Sequence, residues 1–126
     1  MKDPFSSDFE VMPVTKVLLE KDIQSACVKW MRQRGYWARK FSSPAQRSVP
    51  DYLFSHVSYD KFATEFKAPG KRATDKQKDE QQLMRDAGWE VWQEEDDIAS
   101  FKEAVLNREA LLEIDAYVPV KREKEK

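Results

Sequence analysis

The sequence predicts an α/β protein in which a mixed β-sheet is flanked by helices. Segments of alternating apolar residues lie between segments with helical periodicity, which indicates strands and helices in one domain. One strand is followed by a helix and a further strand, over residues 61–93, and such a step is expected to join parallel strands. The strands before it are close enough in sequence to form an antiparallel hairpin, so the sheet should be mixed.

The individual elements follow from the periodic pattern and from the signals at their ends. In chain order we predict a helix over 17–34, strands over 36–41, 51–57 and 61–67, a helix over 74–87, a strand over 89–93 and a last helix that begins after Asp96 or Asp97. Gly35 and Gly88 are typical helix stops, and Thr74 followed by Gln77 is a capping box. The loop over 42–50 is rich in turn residues and ends in Pro50.

The composition is that of a single folded domain. Of the 126 residues, 40% are hydrophobic, which is enough for one core. The only cysteine, Cys27, lies on an apolar helical stripe and cannot form an internal disulfide, so we expect a core position and a reducing compartment. No apolar run approaches the ~18 residues of a membrane span, and the first residues lack the apolar segment of a signal peptide. We therefore expect a cytoplasmic protein with no membrane partner.

Three parts of the chain differ in pattern. Residues 1–17 have no sustained period and are expected to form an N-terminal arm. Residues 18–115 carry all the predicted elements and form the domain. Residues 116–126 are charged and are expected to be a disordered tail.

Basic residues are segregated along the chain although the net charge is only −1. The segment from Ile23 to Pro50 has no Asp or Glu and carries Lys29, Arg32, Arg34, Arg39, Lys40 and Arg47. A second basic cluster consists of Lys67, Lys71, Arg72, Lys76 and Lys78. A nearly neutral protein can still present a positive face to a polyanion such as DNA. Charge clustering alone is equally typical of ordinary solvated faces.

Three charged residues are expected to meet at one end of the hairpin. Asp51 opens its first strand, and Glu65 and Lys67 lie at the end of the antiparallel neighbour, where the first strand begins. Two carboxylates at a strand end offer hard oxygen ligands to Mg²⁺ or Mn²⁺. A lysine beside them can stabilise charge or orient a water. The alternatives are a turn role for Asp51 and a weak surface ion pair between Glu65 and Lys67.

The residues Val49–Asp51 (VPD) and Glu65–Lys67 (EFK) resemble the PD-(D/E)xK nuclease signature. A wider set of segments is similar to the VRR-NUC domain of small stand-alone phage and bacterial nucleases: Glu20 on the first helix, RSVPDYLF, EFKAPGKRATDKQ and AGWEVW. The resemblance covers residues 18–105 and departs from the family pattern at Ser48, where a glycine is usual. It implies a restriction-endonuclease-like fold with an αβββαβ core, so that 18–115 would be a VRR-NUC-like nuclease domain.

The resemblance also implies a role for each matching residue. The metal would be Mg²⁺ or Mn²⁺, and its ligands Glu20, Asp51, Glu65 and the backbone carbonyl of Phe66. Lys67 would orient or activate the attacking water. Gln77 would lie beside the site or near the phosphate, which completes a catalytic set of Asp51, Glu65, Lys67 and Gln77.

Two of these residues also stand out by their positions on helices. Glu20 lies three residues before Ile23, on the side of the first helix that we expect to be buried. Gln77 lies seven residues before Met84, so a polar side chain occupies a helix face that should be buried and therefore needs partners. For DNA contact we predict the basic residues Lys40, Arg47, Lys71, Arg72 and Lys76, although a solvated Lys40 is equally consistent with the sequence.

We therefore expect a metal-dependent DNA endonuclease that resembles Holliday-junction resolvases and acts on branched or duplex DNA in a bacterial or phage-infected cell. Surplus Trp and Phe residues are available for the interface of a homodimer. The alternative is a structure-specific DNA-binding module that does not cleave, which has no reason to keep all the charged positions. A restriction-type enzyme is a third possibility, but 126 residues leave little room for a recognition domain.

Overall fold

The structure, a computed structural model, describes residues 18–42 and 48–124. Within these ranges the elements are α1 (Glu20–Gln33), β1 (Trp37–Lys40), β2 (Tyr52–His56), β3 (Asp60–Phe66), α2 (Asp75–Asp86), β4 (Val91–Glu95) and α3 (Ile98–Lys124). The α/β class and the order αβββαβ predicted from the sequence are confirmed. The predicted arm at 1–17 and Arg47 lie outside the described residues.

The sheet is mixed, as the sequence predicted. Its four strands lie in the order β1-β2-β3-β4. The pairs β1/β2 and β2/β3 are antiparallel, and β3/β4 is parallel, joined through α2. The pairing of β3 with β4 shifts register between Thr64 and Phe66, close to the residues that the sequence singled out.

Two helices end in the same glycine motif. Gly35 and Gly88 have φ of +90° and +105°. Residues that have a Cβ atom rarely adopt this part of backbone space. After α2, the Trp89 N–H donates to the Met84 carbonyl at 2.9 Å and the Gly88 N–H to the Arg85 carbonyl at 3.0 Å, which is the Schellman pattern. Since Trp89 still belongs to this turn, β4 begins at Val91, two residues later than the predicted strand over 89–93.

The core lies between one face of the sheet and the helices α1 and α3. Its fully buried members come from α1, from the strands and from α3: Ile23, Cys27, Met31, Ala38, Phe54, Phe62, Phe66, Phe101 and Val105. Cys27 is therefore a core residue, as expected, and burial raises the pKa of its thiol to about 12. The aromatic rings pack directly on one another; the Phe54 and Phe101 centroids, for example, are 6.0 Å apart.

The second helix, α2, packs against β4 on the other face of the sheet. Gln81 of α2 donates from Nε2 to the Gln93 carbonyl at 2.9 Å. This helix does not extend over β1, where the side chain of Trp37 is 50% exposed. One face of the sheet is thus covered by two helices and the other only in part.

The last helix is longer than the sequence predicted. Its backbone continues to Lys124, through most of the segment 116–126 that was expected to be disordered. Lys and Glu, which are frequent there, rank among the good helix formers, so charge alone does not end a helix. The division of the chain at residues 17 and 115 stays a prediction. No helix among the described residues is both long enough and apolar enough to cross a membrane.

Candidate active site

Asp51 and Glu65 lie opposite each other across two neighbouring strands. Tyr52 pairs with Thr64 in the β2/β3 register, so that Asp51, one residue earlier, faces Glu65. The Asp51 carboxylate accepts a hydrogen bond from the Phe66 N–H at 3.2 Å. Its backbone carbonyl accepts one from the Phe41 N–H at 2.6 Å, which ties the residue to the end of β1. The convergence predicted from the hairpin is confirmed.

The Glu65 side chain is almost completely buried and only half satisfied. It is 3% exposed, and its Oε2 lies 3.0 Å from Gln77 Nε2 and 3.5 Å from Lys67 Nζ. Its Oε1 is buried and has no hydrogen-bond partner among the described residues. Buried carboxylate oxygens are rarely left without a partner, so this atom marks a place where a cation or water belongs.

Lys67 is also largely buried, with 14% of its side chain exposed. The alternative that Glu65 and Lys67 form a solvated surface pair is therefore wrong. Two charges in such a position are costly unless each is compensated. The Lys67 ammonium lies beside a cluster of carboxylates, so it supplies part of that compensation.

The pKa values of both facing carboxyls are raised, and burial is the largest cause for each. Burial is the largest cause for Glu65, followed by the charge of Asp51; together with the charge of Glu20 they outweigh Lys67 and raise the pKa to about 7. The pKa of Asp51 is raised by burial, against the Phe66 N–H and the charges of Lys40 and Lys67. The protein thus concentrates more negative charge here than its own cations neutralise, which favours an added cation.

Glu20 is the first residue of α1 and lies on the surface. It is on the same side of the helix as the buried Ile23, as the sequence predicted, but it is itself exposed because burial begins only one turn later, at Ile23. Its pKa is raised by burial and then by the charge of Asp51, while Lys67 and Lys40 lower it. Glu20 therefore belongs electrostatically to the site, at its rim.

The donor set fits a hard divalent cation that keeps part of its water shell. Among the described residues, no three His, Cys, Asp or Glu side chains are grouped closely enough to hold a metal ion by themselves. Mg²⁺, however, is commonly bound by one or two carboxylates together with waters and substrate phosphates. The Glu65 Oε1 and the Asp51 carboxylate could meet that requirement, and the ligand roles of Glu20, Asp51, Glu65 and the Phe66 carbonyl all stay predictions.

Gln77 is fixed at the start of α2 and reaches the site from there. Its backbone N–H donates to Thr74 Oγ1 at 3.1 Å, and its Oε1 accepts from the Thr74 N–H at 2.9 Å, which confirms the predicted capping box. Its amide nitrogen is thereby directed to Glu65. The sequence predicted that this polar residue would need a partner beside the carboxylates, and the partner is present.

Two solved structures share this architecture. One, described as "VRR_NUC domain", has a TM-score of 0.61 and 18% sequence identity, over 68% of this chain and 92% of its own. The other, described as "VRR_NUC domain protein", has a TM-score of 0.59 and 18% identity, over 72% of this chain and 88% of its own. The chain has the VRR_NUC fold.

The VRR_NUC fold confirms the resemblance and the restriction-endonuclease-like class that the sequence predicted. At 18% identity the likeness concerns the fold. No family model matches the chain, and no curated protein matches it. The residues of the site therefore have to be judged from their own geometry.

The predicted DNA-contacting residues occupy different environments in the VRR_NUC fold. Lys40 is exposed at the end of β1, with Nζ 3.3 Å from Gln24 Oε1. Lys71 and Lys76 are exposed in the loop after β3 and in the first turn of α2. Arg72 is exposed as well, but it pairs with Glu94 at 3.3 Å, so part of its charge is already neutralised.

Two carboxylates that sequence reasoning missed hold the loop between β3 and α2. Glu94 Oε1 accepts from the Ala73 N–H at 2.8 Å, and Asp96 Oδ2 accepts from the Gly70 N–H at 2.8 Å. The sequence showed them only as part of an acidic run. No local signal in the sequence identified these contacts, because they join residues more than twenty positions apart.

Proposed function

We propose that this protein is a metal-dependent DNA endonuclease of the VRR_NUC family. The observation that carries the proposal is the Glu65 carboxylate. One of its oxygens is held by Gln77 and Lys67, and the other is buried without a hydrogen-bond partner among the described residues. A binding module that never cleaves has no use for a carboxylate held in this way.

Asp51 and Glu65 would hold Mg²⁺ or Mn²⁺, with the Phe66 carbonyl and Glu20 as further ligands, directly or through water. When bound, the cation stabilises charge on the phosphate and makes a bound water more acidic. Gln77 keeps the Glu65 carboxylate in one orientation. In the reaction a water attacks phosphorus and one phosphodiester P–O bond breaks. Lys67 orients that water and places a positive charge beside the phosphate.

The preferred substrate is proposed to be branched DNA, cut by a homodimer. One chain carries one site, whereas resolving a four-way junction requires a cut in each of two strands. Exposed apolar side chains among the described residues support the dimer: Trp37, Phe41 and Leu83 are 50%, 41% and 62% exposed. These side chains are candidates for an isologous interface.

One observation favours a second candidate function, DNA binding without cleavage. The carboxylates of the described residues do not form a closed set for a metal. If the site never holds a cation, the basic surfaces alone would bind branched DNA. The two functions differ in their need for a divalent ion, which makes them separable.

A plasmid-nicking assay with Mg²⁺, Mn²⁺ or EDTA tests the proposal, followed by a panel of junction, flap, duplex and single-stranded substrates. We expect cleavage with either ion and none in EDTA. Glu65→Gln keeps the shape of the side chain but removes its charge, and it should abolish cleavage. Glu103→Gln is the matched control, because Glu103 is an exposed glutamate on α3. Cleavage that persists in EDTA, or that survives Glu65→Gln, would contradict the proposal.

A further inference from the structure

A groove of about 550 Å³ lies beside α1, outside the candidate active site. Its lining residues are Ser25, Val28, Lys29, Arg32 and Gln33 of α1 and Tyr52 of β2. We call it the α1 groove. Among the described residues its lining contains two cations, three neutral hydrogen-bonding side chains and no acid.

The cations of the α1 groove are not neutralised within the described ranges. Salt bridges there involve other basic residues, namely Arg34, Lys67, Arg72 and Arg108. Lys29 is exposed. Arg32 donates from Nη2 to the Ala38 carbonyl at 2.8 Å, which holds its guanidinium against the edge strand β1. A guanidinium that is already ordered loses less entropy when its remaining N–H groups bind a phosphate.

The α1 groove adjoins the candidate active site. Tyr52 directly follows Asp51 and pairs with Lys40 in the β1/β2 register. The helix itself leads from the site into the groove, because Glu20 is its first residue and Arg32 lies near its end. At a rise of 1.5 Å per residue, Lys29 and Arg32 lie about 14 and 18 Å along the axis from Glu20.

At 3.6 residues per turn, Lys29 and Arg32 also lie about 180° and 120° around the helix axis from Glu20. A DNA strand that leaves the active site would therefore meet these cations only after it has passed to the outer flank of α1. Ser25 and Gln33 offer neutral donors of the kind that commonly bind phosphate oxygens. Contacts of this kind fix the register of the strand and do not read its sequence.

We propose that the α1 groove binds the phosphate backbone of DNA on one side of the scissile phosphate, through Lys29 and Arg32. This assignment rests on the proposed endonuclease function, which identifies the polyanion as DNA and its reacting phosphate as the one beside Glu65. By binding the strand on one side of the scissile phosphate, the groove would fix how the strand is oriented relative to the carboxylates.

Lys29→Gln tests the proposal, with Lys61→Gln as its control. Both lysines are exposed, and each change removes one charge. Lys61 lies at the other end of β3, with Nζ 5.4 Å from the Trp89 ring centroid. Binding to a fluorescein-labelled duplex of about two helical turns is measured by anisotropy in EDTA, between about 50 and 200 mM salt.

In Lys29→Gln we expect the slope of log affinity against log salt to fall by about one, since one phosphate contact is lost. The affinity at low salt should fall about threefold to tenfold, and it should do so equally for different duplex sequences. Lys61→Gln should keep the wild-type slope. Circular dichroism of both variants checks that these surface changes leave the fold intact.

Plasmid nicking by the same preparations in Mg²⁺ separates this inference from the proposed function. Wild-type nicking together with equal slopes for wild type and Lys29→Gln would contradict DNA binding by the α1 groove and leave the endonuclease proposal intact. The expected slope change without nicking by any metal would support the groove and overturn the endonuclease. A wild-type protein that binds neither this duplex nor a labelled four-way junction would overturn both.

Discussion

Gln77 on α2 donates a hydrogen bond to Glu65 on β3, with 3.0 Å between Nε2 and Oε2. This bond fixes one oxygen of the carboxylate, while the other is buried without a hydrogen-bond partner among the described residues. Because Gln77 is also held by Thr74 at the start of the helix, the position of α2 is coupled to the geometry of the site.

Gln77→Ala should therefore reduce DNA cleavage while the protein stays folded. Residues that orient a metal ligand typically change activity or metal affinity about 10- to 100-fold, and we expect a loss in that range. Cleavage rates and Mn²⁺ affinity on the same preparations check it. Gln82→Ala is the control, since Gln82 lies on the same helix and bonds only to the exposed Asp86 among the described residues. Equal rates for the two variants would show that the Gln77 bond has no catalytic effect.

Glu94 should stabilise the protein near neutral pH, and this contribution should be lost in acid. Its pKa is lowered below the usual 4.5, first by the Ala73 N–H and then by contacts that include Arg72. A depressed pKa contributes stability above the unfolded-state value, and that contribution is lost as the pH falls through the folded-state value. Glu94→Gln should unfold at a lower temperature than wild type near neutral pH, and the difference should shrink below about pH 4.5. A difference that is independent of pH would contradict this origin.

The core prediction concerns Phe101, which is fully buried against the rings of Phe54, Phe66 and Trp92. Phe101→Ala should reduce the free energy of unfolding by about 3–5 kcal/mol, because it leaves a cavity between α3 and the sheet. Leu111→Ala, at an exposed position of the same helix, should change it by less than about 0.5 kcal/mol. Urea titration of the three proteins gives both values, and a small loss for Phe101→Ala would contradict the assigned core.

The proposed homodimer can be tested through its apolar surface. Trp37→Ser and Leu83→Ser should each shift a dimer toward monomer, since both side chains are about half exposed or more in the single chain. Light scattering at micromolar concentration measures the mass, and cleavage of a four-way junction measures the paired nicks. A wild-type monomer that leaves junctions uncut would remove both the dimer and the junction as proposals.

The sequence predicted the order of elements and the meeting of Asp51 with Glu65, because both depend on local patterns and on strand register. A short turn joins the strands over 51–57 and 61–67, which fixes the hairpin and with it the facing pair. The capping box of Thr74 and Gln77 is equally local. These features can be predicted because they depend on residues that are close together in the sequence.

The predictions from sequence failed for features that depend on contacts between residues distant in the chain. Glu20 lies on the expected side of its helix but is exposed, and periodicity does not tell where along a helix the sheet begins to cover it. The β4 boundary moved because Trp89 completes a Schellman turn. The loop contacts of Glu94 and Asp96, and the α1 groove, arise from elements brought together only by the fold. For the same reason, the unpartnered oxygen of Glu65 could not be foreseen.

The central claim is that Asp51, Glu65 and Lys67 form one metal-dependent catalytic site with different tasks. Asp51→Ala and Glu65→Ala each remove a hard ligand, so both Mn²⁺ affinity and cleavage should fall. Lys67→Ala removes the charge beside the phosphate and the attacking water, so cleavage should fall alone. DNA affinity should persist in all three, because it depends on the wider basic surface.

The most direct test is titration calorimetry with Mn²⁺ on Lys67→Ala and Glu65→Ala, run beside a nicking assay on the same preparations. We predict that Lys67→Ala binds Mn²⁺ as wild type does but does not nick DNA, and that Glu65→Ala loses both. Nicking at the wild-type rate by Lys67→Ala, or unchanged Mn²⁺ binding by Glu65→Ala, would contradict this account of the site.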